Sequence, residues 1–256
     1  DPKIARRGLV YMDDSKKDDR VKVAISTGDV DHAKHVSTIL PGMNNVPSED
    51  IKDHVKNAEL VNKHAADNAH ISQDQVATIA WMYDTPQGGQ VVSSKYATKA
   101  SHEIGSALEG MHAFRHTNGI ERAHTSLLGH SYGSTTAGKV AKMVRKGVLD
   151  DLVMYGSPGA GAHDAREYNL DHGRPYVSGI KSDDAVKGKG TLNSKFGNNP
   201  MFMPGVKHLA NNSERDRSFF IPWKMFDRHS EYLEEGTSSL EDISRVVTNV
   251  PVKGEK

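Results

Sequence analysis

The chain contains no cysteine. That single absence removes disulfides, thiol nucleophiles and thiolate metal sites together. An excess of charge of one sign is missing too. Lys plus Arg and Asp plus Glu number 33 each, for a formal net charge of zero. Such a balance offers no electrostatic grip on nucleic acid or on an anionic membrane surface. No run approaches about 18 consecutive apolar residues, so no membrane-spanning helix is expected. Low-complexity tracts and short-period repeats are also absent, while 36% of the 256 residues are hydrophobic, enough for a globular core. The first residue is Asp1 rather than Met, which reads as a chain whose N-terminal part was cleaved or lies apart. Redox logic leaves the compartment undecided; a signal peptide or another domain would both fit ahead of Asp1, and a secreted or cell-envelope location is only slightly favoured over a cytoplasmic one.

What is present is an alternation of strand and helix patterns. Asp13 to Arg20 reads as a solvated mixed-charge loop, and Val21, Val23 and Ile25 then alternate as a half-buried strand. Gly28 to His32 reads as a hairpin turn. Val36, Ile39 and Leu40 form a strand stopped at Pro41-Gly42. Ser48 is the expected N-cap of a helix whose apolar face is Ile51, Val55, Ala58, Val61, Ala65 and Ala69. Val76 to Tyr83 is a nearly continuous apolar run, as in a buried parallel strand. A helix follows from Ser94 to about Phe114, then a strand ending at His130. Another helix passes through Thr136, Val140 and Val144 and ends near Gly147. Further strands are expected at Asp151 to Gly156, Pro175 to Lys181 and Ser218 to Trp223, and a last helix at Leu240, Ile243, Val246 and Val247.

This order predicts an α/β fold: a mainly parallel β-sheet flanked by helices on both faces. Residues 1–256 read as one domain, with 183–217 as a long loop or lid insertion before the last strand. Within it, Met201-Phe202-Met203 is an apolar island, read either as a flap over an acyl pocket or as a core plug.

Chemistry concentrates at Leu127 to Gly138, "LLGHSYGSTTAG". Gly129-His130-Ser131-Tyr132-Gly133 matches G-x-S-x-G, with a strand before it and a helix after it, as a nucleophile elbow requires. The two glycines clear space for a turn that presents Ser131, and the helix behind points its N–H groups at developing negative charge. A serine hydroxyl needs a base. With such elbows the chain order is serine, acid, histidine. Asp184, with Asp183 as its close competitor, follows the strand that ends near Lys181. His229 precedes the last helix, with His208 as the alternative. The oxyanion donors expected are the backbone N–H groups of Tyr132 and of Met43, where Gly42 lets the backbone approach. Asp84, after the run ending at Tyr83, and His130, beside the serine, are candidate substrate-binding residues.

Several stretches together carry a family resemblance. They are "VSTILPGMNN", "IAWMYDTPQ", "LLGHSYGSTTAG", "LVMYGSPGAG" and "HSEYL". The chain resembles the α/β-hydrolase superfamily, and within it a mostly actinobacterial family of uncharacterised function, from about Val21 to about Val247. The resemblance implies a serine hydrolase with Ser131 as nucleophile, Asp184 as acid and His229 as base. It implies no substrate. The expected reaction is acyl transfer from a small-molecule or lipid-like ester through an acyl-enzyme, as in an esterase or lipase, with no cofactor and no metal required. An acyltransferase with the same triad is one rival, and a catalytically silent binding module on the same fold is another. The histidine pairs His32/His35 and His112/His116 raise a metal-dependent hydrolase as a third, but no acid stands between His112 and His116 as in H-E-x-x-H.

Overall fold

A computed structural model describes residues 6–14, 21–171, 173–179, 194–210 and 231–254. Strands β1 (Arg7–Asp13), β2 (Lys22–Thr27), β3 (His35–Leu40), β4 (Val76–Met82), β5 (His124–His130), β6 (Asp151–Tyr155), β7 (Pro175–Ser178) and β8 (Lys207–His208) form one sheet in the order β1-β2-β4-β3-β5-β6-β7-β8. β1 and β2 run antiparallel to their neighbours, and every pair from β4 to β8 is parallel. The expected class is therefore observed: a mainly parallel sheet with helices on both faces. The apolar run of β4 places all seven of its residues in the interior, which is what a central strand covered on both sides demands.

Helices α1 (Pro47–Ala69) and α4 (Ser238–Val247) cover one face, burying Val55, Ala58, Val61, Leu240 and Ile243 against Ile39, Leu128 and Val153. Helices α2 (Lys95–Thr117) and α3 (Tyr132–Met143) cover the other, with Ile104, Leu108 and Val140 on Leu40, Leu127 and Met154. Among the described residues, no helix is long and apolar enough to cross a membrane.

The local expectations need five corrections. Ser48 lies in the first turn of α1 and is not its cap. The helix begins at Pro47, and the Asp50 carboxylate accepts the N–H of the N-cap Val46 at 2.6 Å. α3 closes at Met143, short of Gly147, which takes φ 97° in the turn beyond. Gly28 to His32 is not a hairpin turn, because β4 lies between β2 and β3. That turn is tied down by the buried Arg115, whose guanidinium donates to the carbonyls of Val30, Ala33 and Glu121 at 2.7–2.9 Å. The reading also passed over two edge strands. β1 is half exposed and interrupted by a bulge between Leu9 and Tyr11, and β8 is two residues long within the stretch read as a loop. Neither carries the apolar run or clean alternation by which strands are legible. Of the apolar island, Met203 belongs to the main core while Phe202 is 79% exposed. The strand expected at Ser218 to Trp223 lies outside the described residues.

One buried polar network sets how α1 sits on the sheet. Asn62 Nδ2 donates to the Thr27 carbonyl and hydroxyl, both at 2.7 Å, and the Thr78 hydroxyl donates to Asn62 Oδ1. Ser37 Oγ completes the chain at 2.7 Å from Thr78 Oγ1. α1 is thus joined to β2, β4 and β3 by groups that water cannot reach. Replacing one member leaves its partners desolvated and unpaired. Asn62→Leu is expected to lower the unfolding free energy by about 2–3 kcal/mol, read from the urea midpoint at unchanged slope. A loss under about 0.5 kcal/mol, the usual scale of a surface substitution, would show that the network does not anchor the helix.

Candidate active site

β5 runs into α3 with one residue between them, Ser131, at φ 51° and ψ −124°. A side chain at positive φ is disfavoured by roughly 1–3 kcal/mol, so the surroundings must hold it there. The two motif glycines show how. A Cβ on Gly129 would fall 2.6 Å from the Gly133 carbonyl oxygen and from Ser134 Cα. A Cβ on Gly133 would fall 2.5 Å from the Pro41 oxygen. The strand, the turn, the helix and the loop after β3 thus pass one another at backbone contact. The Ser131 N–H donates to the Tyr155 carbonyl at 2.9 Å, and its own carbonyl accepts from the Ser134 N–H at 3.0 Å, with Ser134 Oγ 2.6 Å away. Ser134 Oγ also lies 2.6 Å from Ser157 Oγ, which ties the elbow to the loop after β6.

The loop after β3 is fixed from its other side. The buried Tyr83 hydroxyl donates to the Pro41 carbonyl and lies 3.1 Å from Thr136 Oγ1. Burial raises its pKa, so it stays protonated and able to donate. Asn45 Nδ2 donates to the carbonyls of Gly42 and Met43, and Asn45 N–H to Thr85 Oγ1, which donates back to the Asn45 carbonyl at 2.9 Å. Asn44 N–H reaches the Pro86 carbonyl at 3.0 Å. "PGMNN" and "YDTPQ" are therefore two halves of one clamp. A Cβ on Gly42 would lie 2.9 Å from Ser131 Cβ, so this clamp presses its backbone directly on the serine. The N–H groups of Met43 and Tyr132 donate to no described group.

Ser131 borders a cavity of about 240 Å³, walled also by Gly42, Met43, Asn45, His54, Asn57, His130, Tyr155 and Leu233. A larger apolar hollow, about 460 Å³, lies far from the serine, between the C-terminal half of α2 and the first residues of β3 and β5. Position beside the strained serine, not size, selects the smaller one. In it, His54 Nε2 donates to the Ile39 carbonyl at 3.2 Å. Burial depresses the His54 pKa to about 4, against small opposing effects of that bond and of Asp50. The ring is therefore neutral at physiological pH, with Nδ1 as its bare acceptor. His130 stacks on Tyr155 with ring centroids 5.1 Å apart and meets Tyr232 at 6.1 Å.

Of the residues expected from sequence, Ser131, His130 and Met43 meet at this cavity, with the Tyr132 backbone next to the serine. Asp84 is half-buried in the loop after β4 and is not among the lining residues. His208 is exposed on β8 and does not line the cavity either. Asp183, Asp184 and His229 lie outside the described residues. Sequence reading missed His54 and Asn57. Their signal was available: two polar residues three apart on α1, flanking the Ile51-Val55-Ala58 stripe where the helix should be turned inward.

Comparison with known proteins matches the alpha/beta hydrolase family over residues 16–194. An uncharacterized protein of Mycobacterium tuberculosis is 29% identical over 213 residues, 80% of this chain and 77% of the relative. A second from that organism is 34% identical over 186 residues, 68% of this chain but 26% of the longer relative. A solved esterase structure superposes with a TM-score of 0.53 at 11% identity, covering 96% of this chain and 82% of that one. At that identity the likeness concerns the fold.

Two substitutions should move stability in opposite directions. Ser131→Gly removes the Cβ from a positive-φ position and should be about 1 kcal/mol more stable than Ser131→Ala. Gly133→Ala forces a Cβ against the Pro41 carbonyl and should destabilise by at least about 2 kcal/mol. Thermal unfolding of the three variants reads both, and equal stability of Ser131→Gly and Ser131→Ala would show that the elbow is unstrained.

Proposed function

The chain belongs to the alpha/beta hydrolase family, and on that premise we propose that it is a serine hydrolase acting on carboxylic esters through a Ser131–His229–Asp184 triad. The observation that carries the reading is Ser131 itself, held at φ 51° at the mouth of a helix and at the wall of a cavity. A hydroxyl facing a cavity from a strained strand-to-helix turn is placed for attack on a bound carbonyl.

In the proposed reaction His229 takes the Ser131 proton as Oγ bonds to the carbonyl carbon. The resulting oxyanion is held by the N–H groups of Met43 and Tyr132, which have no described acceptor. His229 then returns the proton to the leaving alkoxide, leaving an acyl-enzyme. Water, deprotonated by His229, bonds to the acyl carbonyl carbon, and the bond to Ser131 Oγ breaks as His229 passes the proton to Oγ, releasing the carboxylic acid. Asp184 orients His229 and balances its charged form. The assignment of His229 is supported by the chain just beyond it. Leu233 lines the cavity and Tyr232 meets the ring of His130, and four residues span at most ~14 Å. The segment that holds Asp183 and Asp184 leaves β7 after Ser178, which pairs with Tyr155. Esters are the first substrates to try, since the esterase noted above shares the fold. Interception of the acyl-enzyme by an alcohol would make the protein an acyltransferase, and added alcohols in the same assay distinguish the two.

Intact mass after treatment with a fluorophosphonate tests the reading. The wild type should gain one adduct and Ser131→Ala none. His229→Ala should label at least about a hundredfold more slowly. An unlabelled wild type would instead indicate a binding module on the hydrolase fold. The pH profile gives an independent check. The base must be neutral to accept a proton, so kcat/KM should fall as pH drops through the imidazole range near ~6.5. His54, at about 4, titrates too low to produce that limb. A profile flat down to pH ~5 would contradict a base with an ordinary imidazole pKa.

A further inference from the structure

We propose that the neighbouring side chains of His54 and Asn57 select esters that carry a neutral hydroxyl group close to the scissile carbonyl. This deepens the serine-hydrolase reading and rests on it.

The cavity beside Ser131 is small. At about 240 Å³ it falls below the ~300–1,000 Å³ typical of small-molecule pockets. Its wall is also polar in a specific way. The Asn57 carboxamide, half-exposed and one turn along α1 from His54, pairs with no described group. His54 donates through Nε2 to Ile39, which leaves Nδ1 able only to accept. The Tyr155 hydroxyl also lacks a described partner, although the residue is 2% exposed. An alkyl group seated here would strip water from these groups and return nothing, a penalty that polar sites use to reject apolar analogues. A hydroxyl answers both neighbours at once, donating to His54 Nδ1 and accepting from the Asn57 amide.

Charged groups fit less well. No Lys, Arg, Asp or Glu is among the lining residues described. Asp50, one turn before His54 on the same helix, already accepts the Val46 N–H, and Asp53 is exposed. A carboxylate would meet the lone pair of a neutral His54, and an ammonium would find no counter-charge among the described lining residues. The ligand chemistry is therefore a neutral hydroxyl, which either the acyl part or the alcohol part of an ester could supply.

Two pairs of esters separate those sources. On the acyl side, 4-nitrophenyl 3-hydroxybutyrate is compared with its methyl isostere, 4-nitrophenyl 3-methylbutyrate. On the alcohol side, 2-hydroxyethyl butyrate is compared with propyl butyrate. In one pair kcat/KM should favour the hydroxyl ester by about ten- to a hundredfold, as one or two well-placed hydrogen bonds provide. Asn57→Ala, at a half-exposed position without described partners, should fold and should lower that ratio at least about fivefold. His54→Leu should lower it as well, and His54→Gln, which can both donate to Ile39 and accept from the substrate, should recover most of it. Ratios are compared because His54 also ties α1 to β3, and fluorophosphonate labelling confirms that each variant is folded. A labelled wild type with ratios near one in both pairs would overturn this inference and leave the serine hydrolase standing. A high ratio unmoved by the Asn57 and His54 variants would overturn it too, placing selectivity elsewhere. Failure to label, with no hydrolysis of any of the four esters, would overturn the serine-hydrolase reading and this inference together.

Discussion

Everything around the candidate site depends on one steric event: the backbone of the loop after β3 lies against the turn between β5 and α3. Contact at 2.5–2.6 Å between where a Cβ of Gly133 would stand and the Pro41 and Leu40 oxygens leaves no room for a side chain. It also brings together two elements separated by about ninety positions of chain. The approach places the Met43 backbone next to the serine and holds Ser131 at positive φ. Such strain persists only when the surroundings over-determine the geometry. Here they do so through the Tyr155, Ser134 and Tyr83 hydrogen bonds.

The clamp also explains why separate stretches of the sequence belong together. "YDTPQ" supplies Tyr83 and Thr85, which hold the "PGMNN" backbone from outside. "GSPG" supplies Ser157 and the Gly159 carbonyl, which hold Ser134 and Thr135 from beneath. Each motif contributes mainly backbone shape and short polar side chains, because each is a surface for another backbone rather than a set of reacting groups. On the opposite face, the Asn62 network fixes α1 on the sheet, and α1 in turn carries His54 and Asn57 to the cavity. Stability and substrate contact are thus linked through a single helix.

Central elements were legible in the chain because burial on two faces writes itself into composition. β4 is a nearly continuous apolar run, and the inward stripe of α1 recurs at three and four. The edges were not legible. β1 is bulged and half exposed, and β8 has two residues whose strand character comes only from pairing with β7. A strand partner is not encoded locally, so such edges emerge only when the neighbour is in place.

Sequence alone determined the elbow, since G-x-S-x-G between a strand and a helix has few other uses, and it determined the α/β class through its alternation of periods. Tertiary structure decided which distant groups share the serine's cavity. In the sequence His54 is one polar residue beside an apolar stripe, and only the packing of α1 on β3 makes it a neutral acceptor at the wall of the cavity that Ser131 borders. Asp84 looked equally well placed after its strand, yet it does not line that cavity. The physical reason is common to both. Spacing along a helix or strand fixes which face a residue occupies, but what lies opposite that face depends on the register and crossing of elements far away in the chain.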